Sequence, residues 1–259
     1  MAILEIAEEN RVARVRMNRP DVRNAFNTEM IAELTKAFLS FEKRKDLRLV
    51  TLSGEGKVFS AGADLSWMKD MVKFTYEQNR EDSLRLHAMF DAISRCSVPV
   101  LAQVHGAAIG GAMGLMACCD YVIAEEKTQF CFSEVKLGIA PAVISDYVLK
   151  KAVPGVVRPL MISGQLFFAD TALRSGLIHH IAADGQSKAE LDKAVAAWCE
   201  AGPNAARETK RLVSEVMELN PENRVDRTTR LIAELRIGTE GQEGLNSFLE
   251  KRAPDWRDA

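Results

Sequence analysis

The sequence lacks several things that would fix its class at once. No run of 18 apolar residues occurs, so no membrane-spanning helix is expected. The N-terminus, MAILEIAEEN, carries acids where a secretory signal needs a basic start, and a cytoplasmic location is expected. Neither GxGxxG nor a Walker A pattern is present, which removes the usual marks of nicotinamide, flavin and nucleotide sites. Histidine is scarce, with four residues, and none has a zinc spacing to a second ligand, so no metal is expected. The five cysteines form no CxxC. An odd count without that motif reads as small buried hydrophobes in a reducing compartment. A net charge of −2 gives no basic footprint for nucleic acid.

What remains is a chain of 259 residues, 47% hydrophobic, ample for a packed core. Its first 185 residues mix strand and helix signals. Ile3 to Ile6 and Val12 to Met17 read as a hairpin with a turn over Ala7 to Arg11. Thr28 is placed to cap a helix from Glu29 to about Arg44, with Met30, Ile31, Leu34, Ala37, Phe38 and Phe41 on one face. Strands are expected at Leu47 to Leu52, Pro99 to Val104 and Leu177 to Ile181, and a long helix over Thr75 to Arg95. Beyond Ser187 the pattern is wholly helical, with helices at 188–200, 204–218, 224–237 and 240–250.

The chemistry concentrates between Val104 and Ala140. Gly106, Gly110, Gly111 and Gly114 fall within nine residues, after an apolar strand and before an apolar helical run, Ala112 to Cys119. Glycine at a helix start costs roughly 1 kcal/mol per residue against alanine. One offsetting use is to let a ligand reach bare backbone N–H groups there, where negative charge is favoured. Glu134 follows 23 residues after Gly111, an acid in an apolar segment. An anion-stabilising backbone site followed by one carboxylate suggests proton transfer beside a carbonyl. Read alone, Glu134 also suits a surface helix start, and Gly110 and Gly111 also suit close strand–helix packing. Asp64 reads as a helix cap, and Trp67 and Tyr147 as core.

In order, the motifs are Asn18-Arg19-Pro20 with Arg23-Asn24-Ala25, Phe59 to Leu65, His105-Gly106 with Gly110-Gly111, Ala117 to Asp120, and Phe132 to Gly138. Glu243-Gly244 with Phe248 to Arg252 ends the series. Together they resemble the crotonase superfamily, also called the enoyl-CoA hydratase/isomerase family. The resemblance implies an α/β fold: a crotonase-like spiral of ββα units over residues 1–185, and a C-terminal all-α trimerisation region over residues 186–259. It implies an acyl-CoA substrate, no cofactor beyond the coenzyme A of that substrate, and a homotrimer or a dimer of trimers. It maps the two oxyanion-hole N–H groups onto Ala63 and Gly111 and the catalytic acid onto Glu134. Substrate contacts map onto Arg23, Ala25, Ala61, Asp64, Leu65, Gly110 and, from a neighbouring subunit, Lys251. Trp67 and Tyr147 fall where the acyl group is lined.

Hydratases of this kind commonly carry a second glutamate, and its place is taken here by Gly114. The stretches Ala63 to Lys69, Gly114 to Asp120 and Ser133 to Ser145 are similar to the bacterial methylglutaconyl-CoA hydratase branch. That branch implies hydration of a branched, carboxylated enoyl-CoA in leucine or acyclic-terpene breakdown. Asp146, where that branch is expected to carry proline, departs from the pattern. A carboxylated tail needs a cation or a nest of donors. Lys136 would share a face with Glu134 on an extended segment but not on a helix, so no carboxylate-binding residue is assigned. A Δ3-Δ2 enoyl-CoA isomerase needs only one proton shuttle and is the alternative. A carrier-linked dehydratase or decarboxylase is a further one. RNA binding, known among relatives, is opposed by the acidic balance and the absence of a dense Lys/Arg helix face.

Overall fold

Alternating apolar residues build the first hairpin. In a computed structural model, which describes residues 2–257, β1 (Leu4–Glu9) and β2 (Val12–Met17) pair antiparallel with Leu4 opposite Met17. Its turn is tighter than the sequence suggested. Only Asn10 and Arg11 leave the ladder, both left-handed, with φ of 49° and 63°. Two such residues match the twist of the flanking strands.

Helix α1 (Thr28–Glu42) buries the expected face, Met30, Ile31, Leu34, Ala37, Phe38 and Phe41. Its cap is Asn27, not Thr28: Asn27 is extended and its Oδ1 accepts from the Met30 N–H at 2.9 Å, which leaves Thr28 as the first helical residue. β3 (Leu49–Gly54) follows, then α2 (Leu65–Met71) and α3 (Tyr76–Ser94), the latter opened by a Thr75–Gln78 capping box. Next come β4 (Val100–Val104), β5 (Ala107–Ile109), α4 (Gly111–Ala117), β6 (Tyr121–Glu125) and β7 (Gln129–Cys131). A 3-10 turn, Ser133–Leu137, leads to α5 (Ala142–Lys151), α6 (Pro154–Ser163), α7 (Ala169–Ser175) and β8 (His180–Ala182). Among the described residues no strand follows β8: the later elements are α8 (Ser187–Trp198), α9 (Pro203–Val216), α10 (Pro221–Ile237), α11 (Thr239–Glu250) and a 3-10 turn, Asp255–Arg257.

The strands form one six-stranded sheet in the order β1-β2-β3-β4-β6-β8, parallel from β2 onward, and a two-stranded parallel sheet, β5-β7. β3 and β4 are nearly continuous apolar runs because helices cover both faces of a parallel sheet. This is the mixed α/β architecture expected. Cys96, Cys118, Cys119 and Cys131 are buried and all five cysteines are unpaired. No helix among the described residues is long and apolar enough to cross a membrane.

The helical part is tied to the sheet by buried and half-buried cations. Arg207 of α9 donates to Ser97 Oγ and to the carbonyls of Arg44 and Leu47, at 3.0, 2.6 and 2.6 Å. Lys210 meets Asp120 at 2.6 Å. Arg48, just before β3, donates to the carbonyls of Cys199 and Ala201.

Candidate active site

Two backbone segments are laid side by side at this site. The loop after β3 runs along β5 and the turn that follows it, joined to β5 by one parallel bridge, Ser60 opposite Ala108. Ser60 N–H donates to the Ala107 carbonyl at 3.2 Å, and Ile109 N–H to the Ser60 carbonyl at 3.1 Å. Gly62 lies so close to that turn that a Cβ on it would stand 2.7 Å from the Ile109 oxygen and 3.7 Å from the Gly111 nitrogen. Its φ of +86° also demands glycine.

On its other side the loop is zipped to residues 23–26. Ala61 N–H donates to the Arg23 carbonyl at 2.9 Å, Phe26 N–H to the Gly62 carbonyl at 2.6 Å, and Asp64 N–H to the Phe26 carbonyl at 2.8 Å. The last two bonds bracket Ala63 and turn its own N–H away from the bridge. Neither the Ala63 N–H nor the Gly111 N–H, at the first residue of α4, has an acceptor among the described residues. Two bare donors on adjacent segments are what an oxyanion requires.

Glu134 faces the same turn. Gly110, at φ 55°, sits beneath it: a Cβ there would meet Ser133 Oγ at 3.1 Å and Glu134 Oε1 at 3.6 Å. The carboxyl is carried in the first turn of the Ser133–Leu137 helix, which Gly138 closes in a left-handed conformation. Its Oε2 is buried without a hydrogen-bond partner. Burial pushes the Glu134 carboxyl above its ordinary value, against a smaller pull from its own backbone N–H. A desolvated carboxylate with a free oxygen is suited to taking and returning a proton.

The second acid position is closed. Gly114 is buried in α4, and a Cβ on it would lie 2.4 Å from Ile144 Cγ2 and 3.0 Å from Phe90 Cζ. An apolar wall occupies that side. Lys136 is exposed, and on a helical turn two residues from Glu134 it does not share the acid's face.

The remaining expected residues separate into two groups. Arg23, Ala25, Ala61, Asp64, Leu65 and Gly110 belong to the segments that frame Ala63 and Gly111. Arg23 is left-handed and exposed, its guanidinium without an ion-pair partner among the described residues. Ala25 is buried and its carbonyl accepts from Arg19. Leu65 is exposed at the first turn of α2.

Asp64 caps α2, accepting from the Ser66 N–H at 2.8 Å, and meets Arg19 at 2.8 Å. Burial raises the Asp64 carboxyl, but the Ser66 N–H and Arg19 outweigh it and hold the group below its ordinary value. With both oxygens engaged, this carboxylate orders the loop rather than pointing at a ligand.

Trp67 and Tyr147 are core residues. The Trp67 indole N–H reaches Asp82 at 3.4 Å. Tyr147 packs on Phe90 and His87 and borders a cleft of about 730 Å³ lined also by Cys118, Lys151 and Lys210, to which Ala63, Gly111 and Glu134 do not contribute. Lys251 ends α11 in a left-handed conformation.

Three framing residues carried no role in the sequence reading. Asn24 is fully buried and its amide donates to the Glu55 and Val58 carbonyls. Ser60 Oγ donates to the Asn24 carbonyl at 2.9 Å. Arg19 joins the two strips. The available signal was the placement of an amide and a guanidinium within the Asn18 to Ala25 motif.

With this geometry in place, similarity to known proteins is informative. A family profile described as enoyl-CoA hydratase/isomerase matches residues 7–259. A crotonyl-CoA hydratase of Syntrophomonas wolfei is 30% identical over 253 residues, spanning 95% of each chain. A solved structure of an enoyl-CoA hydratase from Shewanella pealeana has a TM-score of 0.93 at 37% identity, covering 98% of this chain and 96% of that one. An enoyl-CoA hydratase structure from Mycobacterium smegmatis has a TM-score of 0.94 at 26% identity, with 99% of both chains covered.

Proposed function

Because the chain belongs to the enoyl-CoA hydratase/isomerase family, we propose that it adds water across the 2,3 double bond of an enoyl-CoA with Glu134 as its single acid–base. The observation that carries this reading is one buried, unpaired carboxylate oxygen beside two bare N–H donors. In this scheme the thioester oxygen accepts from Ala63 and Gly111. The donors strengthen their hold as negative charge grows on that oxygen, which lowers the barrier rather than merely binding substrate. Each such donor is worth roughly 2.7–4 kcal/mol.

Glu134 takes a proton from water as the water oxygen bonds to Cβ, and the double-bond electrons move toward the thioester as an enolate. The protonated Glu134 then returns that proton to Cα. Water is consumed, no net proton is released, and the carboxylate is restored. A carboxyl raised by burial serves both steps, since it is a better base when ionised and is readily held protonated between them.

The proposed substrate is a branched, carboxylated enoyl-CoA such as 3-methylglutaconyl-CoA. The sequence around Ala63, Gly114 and Glu134 supports it, and the apolar wall of Ile144 and Phe90 supports a one-acid chemistry. The test is turnover of purified protein with 3-methylglutaconyl-CoA and with crotonyl-CoA, beside Glu134→Gln. Hydration of the first substrate, reduced about 10²–10⁴-fold in the variant, is expected. Conversion of a 3-enoyl-CoA with no water added to either substrate would overturn the hydratase reading. Activity retained in the variant would remove Glu134 from its role.

A further inference from the structure

We propose that Arg19 is a positioning residue for the oxyanion hole: its guanidinium staples the strip that brackets Ala63 to the strip that carries it. This rests on the reading of Ala63 as an oxyanion donor. The two strips, residues 23–26 and 60–64, are otherwise joined by four bonds, three between backbone groups and one from the Ser60 hydroxyl. Arg19 adds the one charged link. Its Nη1 donates to the Ala25 carbonyl at 2.5 Å on one strip, and its Nη2 to Asp64 Oδ2 at 2.8 Å on the other. Asp64 directly follows Ala63.

The arginine itself is planted. Its backbone N–H donates to Asn24 Oδ1 at 2.9 Å, and its carbonyl accepts from the Asn24 N–H at 2.9 Å, so the base of the side chain cannot drift from the strip it serves. The pair is largely dry, with side chains 17% and 10% exposed. Removing the guanidinium leaves a buried carboxylate without a counter-charge at the residue next to the donor, held by the Ser66 N–H. Asp64 would then turn toward water, and the α2 cap and the Ala63 peptide would follow it. Only a planar fork spans two acceptors at fixed spacing. A lysine ammonium on a flexible stem does not reproduce it.

The test uses Arg19→Met and Arg19→Lys in the full chain, with three readouts. The first is amide hydrogen exchange of the 60–66 segment, with α9 as an internal control. Exchange in that segment is expected to rise about tenfold in Arg19→Met while α9 is unchanged. The second is crotonyl-CoA turnover, where kcat is expected to fall about 100-fold with KM nearly constant, since a misplaced donor costs rate more than ground-state binding. The third is butyryl-CoA affinity, which a saturated thioester retains in both variants. Arg19→Lys is expected to recover less than half of the kcat loss on a logarithmic scale. If Arg19→Met does not fold, Arg19→Lys is read by the same three measures.

Unchanged exchange at 60–66, or an unchanged kcat, overturns the proposal. So does a kcat loss accompanied by equal loss of butyryl-CoA binding and of exchange protection in α9, which marks a general structural role. If the wild-type protein hydrates no enoyl-CoA, the hydratase reading fails alone, and the exchange of residues 60–66 still decides whether Arg19 holds them.

Discussion

Glu134 pays in stability for its environment. Its carboxyl is raised in the folded chain relative to the unfolded one, so the stability it contributes is present below the unfolded value and is lost as pH rises through the folded value. At neutral pH the buried carboxylate is a net cost. Glu134→Gln is therefore expected to melt higher than the wild type near pH 7, by the equivalent of about 0.5–2 kcal/mol, and to converge with it in acid. Thermal melts across pH read this directly. The same shift sets the rate profile. Glu134 must be ionised to accept the proton of water, so kcat/KM should decline on the acid side with a midpoint above the ordinary glutamate value of about 4.3. A midpoint at or below that value would show that burial does not tune this group.

Among the elements, α4 and α5 are fitted most closely at the site. Gly114→Ala places a methyl 2.4 Å from Ile144 Cγ2, and Ile144 is β-branched and buried, so it has little room to turn. Overpacking of this kind costs about 1–3 kcal/mol, and a denaturant midpoint lowered with unchanged slope is the expected reading. Elements with long apolar spacing were legible beforehand: α1, α3 and the helices after Ser187 follow from their periodicity. Two of the three-residue strands were not, whereas β8 overlaps the strand expected at Leu177 to Ile181. β5 and β7 have three residues each, too few to display a period of two, and they exist because the glycine turns around them bring two segments together. Asn27 and Thr28 are both good caps, and only the extended backbone at Asn27 decides between them. At the site, Ala63, Gly111 and Glu134 were readable as a set. Arg19 and Asn24 were not, because their partners are brought to them only by the fold: Asn24 bonds the Glu55 and Val58 carbonyls, and Arg19 bonds the Ala25 carbonyl and the Asp64 carboxylate.

Across the whole molecule, the helices after Ser187 leave apolar side chains uncovered. Met217 and Ile237 are each 81% exposed, Phe248 81% and Leu249 75%. Single exposed hydrophobes are ordinary, but these lie in the part for which a subunit interface is expected. Light scattering should give three times the chain mass, or six if trimers pair. Phe248→Asp should shift the population toward smaller species, whereas a monomeric wild type would end this expectation.

The bare donors at Ala63 and Gly111 belong to the main chain, and that has a consequence for heredity. Codons specify side chains, and every codon but proline's supplies the same N–H. Apart from proline, the pair is therefore shielded from direct deletion by point mutation, and an alanine at Gly111 would test the space beside Phe26, whose Cε2 lies 3.0 Å from where its Cβ would stand, rather than the donor itself. Selection can rewrite the walls around the thioester while the charge-stabilising chemistry stays constant beneath them. To delete one donor alone requires chemistry outside the code, such as an ester in place of the amide that joins Gly62 to Ala63.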